Sequence, residues 1–509
     1  MGLGRTSAVS LVGLTGHMIE VEAHLAPSVP GFTLVGLPDA SLAEARDRVR
    51  AALASSGIPW PQRRITVNLS PASLPKAGSG FDLAIAMATL AGAGVCDARL
   101  VDGVVHLGEL GLDGRLHPVR GVLPAVAAAV AAGHRRVIVP AANAVEARLV
   151  PGAEVVGAAH LAEVASRAGA DVDVPDVDPV VTGERARTVM SVPDLADVLG
   201  QRAARWALEV AAAGGHHLLM VGPPGAGKTM LAARLPGLLP DLDDEAAVEV
   251  TAVHSVAGTF HPAGGLLRRP PFEDPHHTAT PAAVIGGGSG LPRPGAASRA
   301  HRGVLFMDEA PEFSPRVLQT LRQPLEHGEL VIHRAGGAAR YPARFQLVLA
   351  ANPCPCGRSV GKGLECTCSP MARRRYFSRL SGPLLDRIDL QVDVLPVTRA
   401  DRTAADAPES TNVVAARVRE ARDRARRRLA GTGWTTNAEV PGSWLRQHTG
   451  GLAARRDLER ALDSGVLSLR GVDRVLRVAW TLADLAGDRG PGDAEIGQAL
   501  LLRTRGQYR

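Results

Sequence analysis

Lysine is almost missing from this chain. Lys76, Lys228 and Lys362 are the only three, although Lys and Arg together number 57. Nearly every basic position is arginine, so a surviving lysine asks for a chemical reason. Aromatic residues are also scarce, at 3%, which argues against the broad base-stacking platforms of single-strand-binding proteins. No apolar run approaches a bilayer-spanning length, so no membrane contact is expected. Residues 1–5 set no basic region before an apolar core, and a cytoplasmic protein is expected. Five cysteines in a reducing compartment argue against a disulfide framework.

What is present is ordinary globular material. The 509 residues are 46% hydrophobic and 21% charged, enough for roughly three domains. The net charge of +6 and pI of 9.4 mildly favour an anionic partner. Genomic base composition explains the arginine excess more readily than selection for phosphate contacts does.

One of the three lysines closes the run Gly222, Pro223, Pro224, Gly225, Ala226, Gly227, Lys228, Thr229. The apolar residues 217–221 precede it and a helical pattern opening at Met230 follows. Strand, glycine loop and helix in that order form a Walker A arrangement. A polyphosphate needs converging backbone N–H groups, and glycines let the chain approach closely enough. The following helix turns its positive dipole end to the same anion. Lys228 can then reach the β- and γ-phosphates of ATP, and the Thr229 hydroxyl can help to hold Mg²⁺.

Residues 303–307 form an apolar strand pattern ending in Asp308 and Glu309. This suits a Walker B element, with Asp308 on Mg²⁺ and Glu309 polarising the attacking water. A third strand, 345–351, delivers Asn352 to the carboxyl edge where an open α/β sheet gathers ligands. Asn352 can there orient the water or read the γ-phosphate. Arg387, after a helix and between Asp386 and Asp389, suits a finger inserted into a neighbouring subunit's nucleotide. A local ion pair with either acid is the plainer alternative.

Cys354, Cys356, Cys366 and Cys368 form two close pairs just after Asn352. Four thiolates suit a tetrahedral structural Zn²⁺, although Cys-x-Cys is tighter than the usual spacing. Free thiols are the alternative. Cys96 stands alone and reads as core.

Together these elements resemble the AAA+ ATPases and, more narrowly, the ComM/YifB family of magnesium-chelatase-like proteins. The resemblance runs over almost the whole chain. It is carried also by Pro275-His276-His277-Thr278, Gly286-Gly287-Gly288, Arg293-Pro294-Gly295, Glu312-Phe313 and residues 384–390. One departure is Pro271-Phe272-Glu273-Asp274, where a basic residue is expected before Pro-His-His. The resemblance implies an α/β chain with an N-terminal Lon-protease-like α+β domain (1–170) and a linker (171–193). An AAA+ P-loop α/β sandwich (194–397) follows, then a linker with a C-terminal helical lid over the nucleotide (398–509). Within the core, residues 254–294 correspond to a helix-2 insert whose histidines read as loop packing. Residues 330–342 read as a β-hairpin matching the pre-sensor-1 hairpin of related ring helicases. Arg334 and Arg340 are its candidate DNA contacts, a solvated tip being the alternative. Residues 195–201 match an adenine-side element. Arg477 is the candidate sensor-2 residue, with Arg474 second. Residues 413–430 form an arginine-rich helix, read as a solvated face before a nucleic-acid stripe.

The N-terminal region reads as strands 11–14, 19–23, 33–37 and 65–69 with a helix at 41–55. Its match to Lon-type domains sets Gly80 at the nucleophile position and Leu123 at the catalytic lysine. Ser79 is one place out of register, so no peptidase is expected. The implied function is an ATP-hydrolysing homo-oligomeric ring, a hexamer, driving DNA branch migration during homologous recombination of imported DNA. The alternative is a chelatase-like ATPase that remodels a protein partner.

Overall fold

The computed structural model describes residues 2–36, 42, 44–76, 78–180, 193–288, 292–334, 337–359, 365–380, 382–398, 401, 408–449 and 456–504. Expectations for Leu37, Ser41, Ala77, the hairpin tip at 335–336, Ser381 and the linker stretches 181–192 and 402–407 fall outside these residues. So does the Arg334 side chain.

The N-terminal unit is one mixed sheet of β1 (Gly2–Val12), β2 (Thr15–Ala26), β3 (Gly31–Val35), β4 (Arg64–Ser70), β5 (Val105–His106), β6 (Arg136–Pro140) and β7 (Glu154–Ala158). Their order is β3-β4-β2-β1-β5-β6-β7. β1 and β2 pair antiparallel from Gly2–Leu25 to Val12–Thr15. The stretch read as a strand at 11–14 is therefore corrected. Gly13, with φ +68°, turns the chain there, a two-residue hairpin that only a φ > 0 residue closes easily. Alternation along β2 buries Ile19, Val21, Ala23 and Leu25. The helices α1 (Ala45–Ser55), α2 (Asp82–Ala93) and α3 (Val122–Ala131) cover the sheet. Nearly every α2 residue is buried.

The central unit is a five-stranded, all-parallel sheet. Helix α4 (Arg202–Gly214) leads into β8 (Leu218–Val221), and α5 (Lys228–Ala232) follows the glycine loop. Next come α6 (Asp244–Ala257), β9 (Phe272–Glu273), α7 (Pro281–Ile285), β10 (Gly286–Gly287), β11 (Arg293–Pro294) and β12 (Val304–Met307). The hairpin β13 (Glu329–Arg334) and β14 (Gly337–Pro342) precedes β15 (Gln346–Ala351), and β16 (Leu390–Asp393) lies at one edge. Sheet order is β9-β12-β15-β8-β16. The three central strands are short and wholly buried, as parallel strands covered on both faces must be. The insert starts later than expected: His254 lies within α6, its ring buried between Thr259 and the Arg299 carbonyl.

The C-terminal helices are α8 (Pro370–Ser378) at the core boundary, then α9 (Thr411–Arg428), α10 (Leu469–Ala486) and α11 (Asp493–Thr504). Their buried side chains share one apolar core with α4 and the sheet. The arginines of α9 form neither a nucleic-acid stripe nor a solvated face. Arg417 forks onto Glu209 and Glu409, Arg422 donates to Ala212 O, and Arg428 grips buried Asp484.

The N-terminal unit rests on the central one. Buried Glu146 accepts hydrogen bonds from Leu123 N (3.0 Å) and from the Ser255 hydroxyl of α6. The β1–β2 turn meets the hairpin: a Cβ on Gly13 would come 2.5 Å from Arg340 O. Leu14 and Val256 pack on Ile332, Ala339 and Tyr341.

Candidate functional site

Parallel strands send their carboxyl ends to one edge, and four expected residues meet there. β8 pairs with β15 at Val221–Ala351, and β12 with β15 at Met307–Leu349. The glycine loop, Asp308 and Asn352 are thus neighbours by register. Lys228 Nζ donates to Gly222 O (2.7 Å), Pro223 O (3.0 Å) and Asn352 Oδ1 (3.2 Å). The Lys228 side chain is buried, and burial lowers its pKa, against the pull of Asp308 and Glu309. Thr229 Oγ1 donates to Asp308 Oδ2 at 2.7 Å. Gly225 and Gly227 have φ of +74° and +92°, as a loop curling its N–H groups inward requires. A Cβ on Gly222 would lie 2.2 Å from Val394 O, so a side chain cannot fit there. Ala226 is buried, Pro223 and Pro224 form the turn, and Met230 opens onto the surface.

This donor set fits a nucleoside triphosphate with Mg²⁺: an ammonium, a nest of backbone donors, and a hydroxyl beside a carboxylate for a hard cation. Gln201 packs against the same loop, donating to Ala226 O at 3.2 Å and to Leu395 O. Glu309 holds a left-handed backbone, φ +50°, and its N–H donates to Asp308 Oδ1 at 2.8 Å. Non-glycine residues pay for that conformation. His277 Nδ1 lies 3.1 Å from Glu309 Oε2. The sequence reading missed this contact, since it took the insert's histidines as loop packing.

Arg387, Arg474 and Arg477 are not at this edge. They line a cavity of about 990 Å³ with His217, Gly303, Phe345 and Asp389, the residues that precede the strands. That is the amino edge, about 13 Å away along a four-residue strand. The expected helical lid over the nucleotide is corrected accordingly: α10 brings its arginines behind the sheet. Arg387 pairs with Glu326 rather than with Asp386 or Asp389. Arg474 Nη1 holds Asp389 Oδ1 at 2.8 Å, and His216 Nδ1 is 3.1 Å from the other Asp389 oxygen. Arg477 Nε donates to Val440 O at 2.8 Å. Burial lowers the pKa of Arg477 and of Arg387, the latter also through Arg474, Arg322 and Arg470. These arginines cannot touch the phosphates bound by their own chain's Lys228.

The thiols of Cys354, Cys356, Cys366 and Cys368 all lie within 4.8 Å of one another. Cys354 Sγ is 3.3 Å from Cys356 Sγ and 3.6 Å from Cys366 Sγ. A tetrahedron with Zn–S of about 2.3 Å has sulfur–sulfur edges of about 3.8 Å, so the set fits a zinc ion. The loop touches the nucleotide site, because a Cβ on Gly357 would lie 2.6 Å from Pro224 Cδ. Cys96 is core, its thiol pushed up to about 11 by burial.

Arg340 is exposed and pairs loosely with Glu329 at 3.2 Å. The acid at 273, where a base was expected, is buried against Arg299 at 2.8 Å. In the N-terminal unit Ser79 Oγ donates to Glu109, buried Lys76 donates to Pro71 O, and Leu123 is core. Among the described residues no helix is long and apolar enough to cross a membrane.

Comparison with known proteins agrees with this architecture. The family described as "Magnesium chelatase, subunit ChlI" matches residues 194–402, "Subunit ChlI of Mg-chelatase" matches 21–143, and "Magnesium chelatase, subunit ChlI C-terminal" matches 408–503. An uncharacterized protein of Mycobacterium tuberculosis is 51% identical over the full length of both chains. Competence protein ComM of Haemophilus influenzae is 39% identical, covering 99% of this chain and 98% of its own. The uncharacterized protein YifB of Escherichia coli is 40% identical, covering 95% and 94%. A nucleotide site on a parallel sheet, full-length similarity and three matching family descriptions converge: the chain belongs to the ComM/YifB family of magnesium-chelatase-like AAA+ ATPases.

Proposed function

We propose that the protein is a ring-forming ATPase, a hexamer, that hydrolyses ATP at subunit junctions and uses the stroke to move DNA. The observation that carries this reading is the convergence of Lys228, Thr229, Asp308 and Asn352 on one sheet edge. In this reading Lys228 binds the β,γ-phosphates, and the N–H groups of residues 222–229 enclose them. Thr229 and Asp308 would hold Mg²⁺, which supplies charge neutralisation on the phosphates. Glu309 takes a proton from the attacking water, and Asn352 orients that water.

The amino-edge position of Arg387 supports a shared site, since an arginine that cannot serve its own chain can serve a neighbour. Arg477 and Arg474 are read in the same way, as arginines facing the next subunit. The DNA reading rests on the basic balance of the chain and on Arg340, with Arg334, at the hairpin. A relative named competence protein is consistent with branch migration in recombination of imported DNA. The Cys cluster is read as a structural zinc clip, the N-terminal unit as a scaffold without peptidase activity, and the protein as cytoplasmic.

The alternative, a motor that remodels a protein partner, is favoured by similarity to the magnesium-chelatase 38 kDa subunit of Rhodobacter capsulatus, 29% identical over 35% of this chain. Hydrolysis measured with and without four-way DNA separates the two. Stimulation that weakens with salt supports the DNA motor, and indifference to DNA supports the remodeller. Glu309→Gln should bind ATP without turning it over; turnover at the wild-type rate would remove Glu309 from the mechanism.

A further inference from the structure

The backbone of Glu309 is pinned by its left-handed conformation and by Asp308, so only its side-chain torsions decide where the carboxylate points. His277 occupies one of its oxygens, with Nδ1 at 3.1 Å from Oε2. A carboxylate offers only lone pairs, so the ring nitrogen facing it carries the proton. The His277 ring is itself held: His276 stacks on it with centroids 4.1 Å apart, and His276 Nδ1 lies 2.8 Å from Thr278 Oγ1. A carboxylate engaged by an N–H donor is a weaker base than a free one, and it is not free to turn toward a water.

The segment carrying His277 continues to the hairpin. α7 begins at Pro281, and β10 then pairs with β11 through Gly286–Pro294 and Gly287–Arg293. This small ladder abuts β13–β14. Tyr341 Oη donates to Pro292 O at 2.6 Å, and a Cβ on Gly286 would lie 2.8 Å from Ile332 Cδ1. A shift of the hairpin therefore pulls on the segment that holds His277. Packed, hydrogen-bonded neighbours of this kind carry coupling when they have two arrangements.

We infer that His277 is a positioning residue that restrains Glu309, and that engagement of a polyanion by the hairpin releases the restraint. This rests on the reading of Glu309 as the acid that activates water. His277 acts through Glu309 and touches no phosphate. Its role is to keep hydrolysis slow until the hairpin is engaged.

The test is steady-state hydrolysis by the full chain, with and without a four-way DNA junction, for wild type, His277→Ala, His277→Asn and Glu309→Gln. His277→Ala should raise basal kcat by about threefold or more while KM for Mg·ATP stays within about twofold. Its stimulation by the junction should shrink by the same factor. His277→Asn keeps an N–H donor and should restore the wild-type ratio. An unchanged or lowered basal kcat in His277→Ala, or a change confined to KM, overturns the restraint. So does a wild-type chain that the junction fails to stimulate. Residual turnover in Glu309→Gln refutes the reading of Glu309 instead. An inactive Glu309→Gln beside wild-type behaviour of His277→Ala refutes the restraint alone.

Discussion

Thr229 donates its hydroxyl to Asp308 across 2.7 Å, although 79 residues separate them in the chain. A hydroxyl and a carboxylate that close have the composition of a hard-cation site. Thr229→Ala is expected to weaken ATP binding by about tenfold in Mg²⁺ and much less in its absence, with Thr229→Ser close to wild type. Titration of a fluorescent ATP analogue at several Mg²⁺ concentrations measures this. Equal losses with and without the metal would separate Thr229 from it.

Arg387 sits with Glu326 on the opposite edge of the sheet from Lys228. Arg387→Ala alone should lower kcat by about a hundredfold or more, as loss of an arginine finger does. Mixing it with Lys228→Ala subunits should restore part of the activity, because some junctions then pair an intact loop with an intact guanidinium. Mixtures no more active than their components would refute a shared site.

The four thiols predict bound zinc. Metal analysis of purified protein should return about one zinc per chain, and Cys354→Ser with Cys356→Ser should abolish it. Because Gly357 presses on Pro224, the same double variant should also weaken ATP binding and lower the thermal midpoint. Full zinc content in that variant would place the metal elsewhere.

Asp389 is buried between Arg474 and His216. Its carboxyl titrates far below the ordinary range: burial opposes ionisation, and Arg474 and His216 more than compensate. Arg474→Ala strands that charge and should cost about 3–5 kcal/mol in denaturant unfolding, whereas Arg474→Ala with Asp389→Asn should cost less. Equal losses in the two would show that the pair does not act as a unit.

Two imidazoles are buried in a form that resists protonation. Burial holds the pKa of His217 at about 4 and that of His106 at about 3, against an ordinary 6.5. Across that window the unfolded chain binds more protons than the folded one, so stability rises with pH. The contribution is complete above about 6.5 and is lost as pH falls toward 4. Thermal midpoints from pH 7 down to pH 5 should decline, and His106→Asn should flatten the decline. A flat wild-type profile would contradict this assignment.

The carboxyl edge was legible because each of its residues directly follows its own apolar strand; Lys228, Asp308 and Asn352 need only parallel pairing to meet. The amino edge was not legible, since where Arg474 and Arg477 point depends on how α10 docks behind the sheet, and no local pattern encodes that docking. The α9 arginines misled for the same reason. Their partners Glu209 and Asp484 lie on other helices, so a charged helix looked like surface. His277 was invisible because its partner belongs to a different strand end. The boundary at Gly13 was misplaced because apolar Leu11 and Leu14 straddle the turn.

The turn at Gly13 also decides which form of the protein is worth studying. Leu14 supplies part of the greasy seat beneath Ile332 and Tyr341, so an isolated ATPase fragment beginning near residue 194 would leave that hairpin propped on one side only. Truncation would alter the very part meant to feel DNA, and a sluggish fragment would testify to a missing support rather than to a weak engine.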